Sequence, residues 1–402
     1  MNNLQKARFA VFAYFTIAGA AVTFWAVHIP VVENKLEISH SAIGALLLVF
    51  GGGALAAIQS VGSLIDRVGS RTATFISGTF MGVMLFLPGL ADTPLLLGIA
   101  LFLLGVGVGS TDVAMNAHAV EVEKAYQRPI FSAFHAMWSF GGLIGATLGG
   151  LALAAGLEMQ TTLSIAAVAT LAIAVSMRSW MLPDSPNHAA RDKSKENKEQ
   201  EKLRLKKSNA SNRKVLGFVL FLGAMSAAAA IAEGTGVDWS TLHHARVLGT
   251  SEAQAAIALA AYTGSMGFTR LVIDKVVAAK GRIFVIRFGS LVSALGTAVV
   301  VLSTSSPVAL IGWVIAGIGI AGVIPQIFAL SAEIGESSHF GRNMAKVVGI
   351  TYAGVLAGPA LIGFLTELVP LNVAIGLGVI LGLFTALGTV VITRRNANVE
   401  TV

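Results

Sequence analysis

Gly62-Ser63-Leu64-Ile65-Asp66-Arg67-Val68-Gly69-Ser70-Arg71 stands between two long apolar runs. A variant returns in the second half as Arg270-Leu271-Val272-Ile273-Asp274-Lys275, followed by Lys280-Gly281-Arg282, again between apolar runs. From Asp66 to Asp274 is 208 residues, close to half of the 402. A short charged turn repeated at half-length predicts two similar halves.

Composition sets the class. Of the residues, 55% are hydrophobic and only 12% charged, against roughly 25% charged in a soluble domain. Twelve runs are long enough to cross a hydrocarbon core: approximately 8–32, 40–64, 72–91, 95–119, 130–156, 160–182, 215–242, 251–272, 283–303, 307–331, 342–367 and 370–393. Lipid leaves no partner for unpaired backbone groups, so such runs must be helices. The expected fold is an all-α membrane protein of twelve transmembrane helices in two pseudo-symmetric six-helix bundles. Residues 8–32 are too long for the apolar core of a signal peptide and read as a retained first helix.

Lysine and arginine placement orients the chain. With the N-terminus inside, Lys35 and Arg246 alone face outward, and the other 26 of 28 basic residues gather at inner loops, inner helix ends and termini. Both termini are therefore expected in the cytoplasm, and the net charge of +7 is a topology signal, not a nucleic-acid footprint. The polar stretch 183–214 divides the chain into a 1–182 bundle and a 215–402 bundle. It reads as a solvated basic linker, with anionic lipid headgroups as a possible partner. Absence of cysteine excludes disulfides and thiolate metal sites. His243 and His244 are adjacent and cannot share a helical face as metal ligands. No phosphate-binding loop is present, so uphill movement would draw on an ion or solute gradient, with no cofactor.

Further echoes support duplication. Glu123 and Arg128 precede the fifth run, and Glu333 and Arg342 the eleventh. Gly142-Leu143-Ile144-Gly145 through Gly149 is echoed by Gly358-Pro359-Ala360-Leu361-Ile362-Gly363. The charged turn resembles motif A of the major facilitator superfamily of secondary transporters. That resemblance assigns gating to Gly62, Asp66, Arg67, Gly69 and Arg71, and to Asp274 in the second copy. Its Asp would sit near a helix N-terminus, favoured by the macrodipole, and bridge to cations of a neighbouring helix. Gly62 would allow close helix approach, and Gly69 would suit the turn. Thr269 and Ile273 depart from the pattern in the second copy.

Ionisable groups within spans are costly and are functional candidates. Asp112 lies in Gly105-Val106-Gly107-Val108-Gly109-Ser110-Thr111-Asp112-Val113-Ala114-Met115-Asn116, with Asn116 one helical turn on. A carboxyl group in low dielectric can load and release a proton near neutral pH. This region, continuing into Phe134-His135-Ala136-Met137-Trp138-Ser139-Phe140-Gly141-Gly142, resembles the fucose-type sugar/proton symporters, with Asp in place of their Glu. Ala232-Glu233-Gly234-Thr235-Gly236-Val237-Asp238-Trp239 predicts an unwound seventh helix lining a cavity, with Trp239 in the interfacial belt or at a gate. Asp112 and Glu233 are the expected proton-coupling acids. Asn116, His135, Trp138, Glu233, Tyr262, Gln326 and Tyr352 are the expected substrate contacts, joined less strongly by Trp25 and His28.

These readings imply a non-enzymatic, monomeric transporter of the bacterial cytoplasmic membrane. It would move a small polar, sugar-like solute with protons, among membrane lipids. Proton-coupled efflux is the rival direction, disfavoured because the fifth span lacks the proline of the exporters' signature. A receptor or scaffold that kept the fold is the alternative of another class.

Overall fold

The structure, a computed structural model, describes residues 2–127, 130–184, 212–332 and 340–400. Among the described residues, twelve helices are long and apolar enough to span a membrane: Asn3–Leu36, His40–Ile58, Ser70–Leu90, Pro94–Tyr126, Ala133–Ala154, Met159–Trp180, Leu216–Val247, Glu252–Lys280, Arg282–Leu302, Ser306–Ser331, Lys346–Leu365 and Leu371–Thr393. They are numbered here as the first to twelfth spans, and no strand occurs among the described residues. Arg128 and Glu333, the side chain of Arg342 and most of the 183–214 segment lie outside the described residues.

The two halves use the same pairings. The first span packs on the fifth as the seventh packs on the eleventh, and the third on the fourth as the ninth on the tenth. Small residues make these contacts backbone to backbone. A Cβ at Gly141 or Gly145 would strike the carbonyls of Thr16 or Ala20 in the first span. A Cβ at Gly354 or Gly358 would press on Ala227 or Ile231 in the seventh. The glycines of the fourth span serve the same end, because Gly105 and Gly109 lie against the backbone of Phe50 and Ala54.

Backbone geometry gives the register of the duplication. Ser39 and Ser251 cap the second and eighth spans. Gly69 (φ 86°, ψ 163°) and Gly281 (φ 81°, ψ 164°) each end one helix and open the next in a backbone region that essentially demands glycine. Pro94 and Pro307 occupy the first turns of the fourth and tenth spans, where the missing N–H costs nothing. These pairs, with Gly141/Gly354 and Gly145/Gly358, are all 212 or 213 residues apart. The expected 208-residue match of Asp66 to Asp274 is therefore out by one helical turn. Asp66 lies three residues before its glycine turn, whereas Asp274 lies seven before Gly281, inside the eighth span.

The outer surface is apolar where lipid would lie, with Leu95, Ile99, Leu151, Val168, Leu295, Ile311 and Leu387 exposed. Inside, hydroxyl groups satisfy themselves within their own helices: Thr16, Thr74, Thr111 and Thr263 donate to carbonyls four residues earlier.

Candidate substrate and proton site between the halves

The side carrying both termini and the Gly69 and Gly281 turns is the basic side. On the opposite side the halves are latched by charge. Arg246 of the seventh span pairs with Glu33 of the first, whose side chain is only 11% exposed, and its Nη2 donates to the Pro30 carbonyl at 2.6 Å. His40 Nε2 lies 2.9 Å from the other Glu33 oxygen. Asn34 Nδ2 donates to Glu252 Oε1 at 3.0 Å. Gly44 and Gly363 bring the second and eleventh spans into backbone contact on this side. Lys35, the other cation expected there, pairs with Asp92 within the first half.

At mid-depth a second cross-half contact forms. Asn116 Nδ2 donates to Asp112 Oδ1 at 3.0 Å, and Tyr352 Oη donates to Asp112 Oδ2 at 3.1 Å. Asp112 and Asn116 therefore share a face as their spacing predicts. Among the described residues Asp112 makes no ion pair. Two neutral donors hold its carboxyl group, one from each half.

A third cross-half network centres on Arg270. Its Nη2 donates to Glu233 Oε1 at 3.1 Å, its Nη1 to Ser139 Oγ of the fifth span at 2.7 Å, and its Nε to the Ala321 carbonyl at 3.2 Å. That carbonyl is available because Pro325, four residues on, has no N–H, and the tenth span breaks at residues 321–322. Pro30 works likewise in the first span: it leaves the Ala26 carbonyl free to accept Thr241 Oγ1 of the seventh at 3.2 Å. Ser139 and Tyr352, which bridge to the opposite half in the two mid-depth networks, are themselves 213 residues apart. Equivalent positions of the fifth and eleventh spans thus reach across the pseudo-twofold.

Sequence reading placed Arg270 at the inner end of the eighth run, where the charged turn begins. Ten residues separate it from Lys280, about 15 Å of helix, and a helical reading through to Gly281 would have buried it.

His135 is exposed, with its ring edge on Phe15 at 5.2 Å between centroids, and Trp138 is half-buried. Both lie on the fifth span beside Ser139. Tyr262 is 1% exposed; its hydroxyl donates to the Glu233 carbonyl at 3.0 Å and its ring fills the space left by Gly236. Gln326 is buried next to Pro325. Tyr262 is thus a packing residue, and Gln326 is not brought into either network. Trp25 and His28 are buried as well, with His28 Nδ1 2.7 Å from the Phe24 carbonyl.

Two expectations for the seventh span are corrected. The helix runs unbroken from Asn212 to Leu242, then widens into a π-turn at His243–Val247. The chain keeps its backbone bonds, and Gly236 serves to admit the Tyr262 ring. Trp239 is fully buried, away from any lipid interface.

The motif residues are dispersed. Gly62, Asp66 and Arg67 sit on the last turns of the helix His40–Val68, exposed. Asp66, Arg67 and Asp274 make no ion pair among the described residues. A Cβ at Gly62 would meet nothing within 4 Å, so close helix approach is not its role in this arrangement. The helix N-terminus expected to hold Asp66 holds Asp184 instead. Its Oδ1 accepts from Arg71 N at 2.8 Å, and its Oδ2 accepts from Thr72 N at 3.3 Å and Thr72 Oγ1 at 2.6 Å, where the macrodipole favours a carboxylate. Arg71 Nε donates to the Arg178 carbonyl at 3.0 Å, so it serves the first half alone.

A family model described as Major Facilitator Superfamily matches residues 10–235 and 223–401. An uncharacterised MFS-type transporter of Yersinia pestis is 32% identical over 387 residues, covering 94% of each chain. Among solved structures, the nucleoside transporter NupG superposes with a TM-score of 0.71 at 14% identity, covering 98% of this chain and 99% of its own. A D-xylose–proton symporter gives 0.74 at 15% identity, covering 96% and 97%. Twelve spans, duplicated halves joined at mid-depth by polar groups, and full-length matches to model and relative lead to one conclusion: this chain is a multi-pass membrane transporter belonging to the Major Facilitator Superfamily.

Proposed function

We propose that this protein moves a small polar organic solute, sugar-like in its hydroxyl groups, together with protons, across the bacterial cytoplasmic membrane. The observation that carries this reading is Asp112, an acid within a span that is held between the halves by Asn116 and Tyr352 and makes no ion pair among the described residues. An ionised carboxylate accepts both bonds. A protonated one turns one oxygen into a donor and changes the pattern. Proton binding at Asp112 thereby acts on a bond that joins the two halves, which is the coupling that alternating access requires. The fold is shared with a proton symporter for xylose and with a nucleoside transporter, both handlers of hydroxylated solutes.

The positive-inside bias puts the termini in the cytoplasm. The latch at Glu33–Arg246 then closes the outer side, and the protein faces inward. The test is uptake by proteoliposomes under an imposed pH gradient, with solutes first chosen by thermal-shift screening of sugars, polyols, nucleosides and organic acids. Concentration of a hit that collapses with a protonophore supports the reading. Movement insensitive to the pH gradient contradicts it.

Asp66 adds a conformational test. Exposed and in no ion pair among the described residues, it is expected to contribute where the basic side closes. Asp66→Asn should leave thermal stability unchanged, slow turnover several-fold, and raise the reactivity of single cysteines placed near the basic-side mouth. The chain has no native cysteine to confuse the labelling. Wild-type turnover and labelling would reduce the motif to a topological signal.

A further inference from the structure

We propose that Arg270 anchors a carboxylate of the transported solute, and that Glu233 is the internal counter-ion this carboxylate displaces. The inference rests on the reading of the protein as a proton-coupled transporter and names its substrate class: hydroxylated carboxylic acids, not neutral sugars.

Three features of the Arg270 network carry it. First, the guanidinium is pre-positioned from three sides, by the Ala321 carbonyl on Nε, Ser139 Oγ on Nη1 and Glu233 on Nη2. Guanidinium has five N–H donors, so two remain for a ligand. Second, Glu233 engages through one oxygen only, while a planar guanidinium favours two parallel bonds to a carboxylate. The pair is incompletely matched, and a solute carboxylate that meets the fork through both oxygens outcompetes it. Third, the pair is reachable: the Arg270 and Glu233 side chains are 15% and 23% exposed at the junction of the halves. Ser139 shares a face of the fifth span with the exposed His135 one turn away and adjoins Trp138, so a hydroxylated skeleton anchored at Arg270 lies beside a hydrogen-bonding ring and an aromatic surface.

Charge balance supplies the coupling. A solute carboxylate on Arg270 leaves Glu233 as an unpaired carboxylate within a span, an expensive arrangement. Uptake of one proton from the aqueous side neutralises it, so anion and proton enter the site together and its net charge is unchanged. A neutral sugar gives no reason to part Glu233 from Arg270.

The test compares acid and neutral partners of the same skeleton, D-gluconate with sorbitol and D-glucuronate with D-glucose. Equilibrium binding is measured on the full-length purified protein. The acid of at least one pair should bind wild type at least tenfold tighter than its neutral partner. Glu233→Gln, which frees Arg270, should bind that acid about tenfold tighter yet fail to concentrate it in proteoliposomes. Because Arg270→Gln alone strands Glu233 and risks misfolding, the double variant Arg270→Gln/Glu233→Gln removes both charges. It should keep its melting temperature near wild type and lose the preference for the acid. Equal binding of both partners, no binding of either acid, or an acid preference kept by the double variant overturns the inference. Accumulation of a neutral solute by the double variant would sink this inference and leave proton-coupled transport standing. Failure of wild type to accumulate any solute on a pH gradient would sink the transport reading itself.

Discussion

Asp112→Asn should reduce pH-gradient-driven accumulation to the equilibrium ratio while solute exchange across the membrane stays measurable. The substitution preserves volume and one acceptor oxygen. Asn116 Nδ2 keeps its 2.8 Å bond to the residue-112 carbonyl whatever the side chain, and the Tyr352 hydroxyl can accept from the new amide as readily as it donated to the acid. Fold and binding should therefore survive. What is lost is the ability to take up and release a proton at the junction of the fourth and eleventh spans. Exchange needs the carrier to shuttle only in its loaded form, whereas accumulation needs the proton's free energy to enter the cycle. Accumulation at wild-type levels in this variant would remove Asp112 from the coupling mechanism.

Arg246→Ala should open the side opposite the termini. Removing the guanidinium leaves Glu33, 11% exposed, with His40 as its remaining ionisable partner among the described residues, and takes the side-chain donor from the Pro30 carbonyl. Losing one partner of such a buried pair costs about 3–5 kcal/mol when the structure cannot relax. Here it can, by letting the halves part and hydrating Glu33. Even a shift of ~1.4 kcal/mol is tenfold in population. A cysteine placed at Thr241, now buried against the Ala26 carbonyl, should therefore be labelled at least tenfold faster by a membrane-impermeant thiol reagent. Replacing both partners, as Glu33→Gln/Arg246→Met, should restore much of the protection because no charge is stranded. Unchanged labelling in folded Arg246→Ala would show that the glycine contact of the second and eleventh spans closes this side alone.

Hydropathy and charge placement made the architecture legible. All twelve spans lie where apolar runs predict, because a hydrocarbon core imposes length and composition directly on sequence. Register was harder. The charged residues suggested a 208-residue repeat, but it is the glycine, serine and proline positions that hold the backbone, and they repeat at 212–213. Charge on a helix end can slide by a turn without structural cost; a glycine with φ near +85° cannot.

The Asp112–Asn116 pair was legible because one helix carries both residues. Arg270 was missed because its importance depends on three other helices and on Pro325, whose missing N–H frees the carbonyl it binds. Tyr262 and Trp239 were misplaced for a related reason. A polar-tipped aromatic within a span can line a cavity, fill a core or sit at an interface, and only its neighbours decide. The glycines of the seventh span suggested unwinding, yet glycine in a membrane helix equally makes room for a partner, as Gly236 does for Tyr262.

The central claim is that solute and proton cross together on residues shared by the two halves. It is tested most directly in proteoliposomes that hold a trapped pH-sensitive dye, start with equal pH on both sides, and receive an inward gradient of a solute shown to bind. Wild type should acidify the lumen as the solute enters, and Asp112→Asn should not. Solute entry by wild type without a change in lumenal pH would contradict the account.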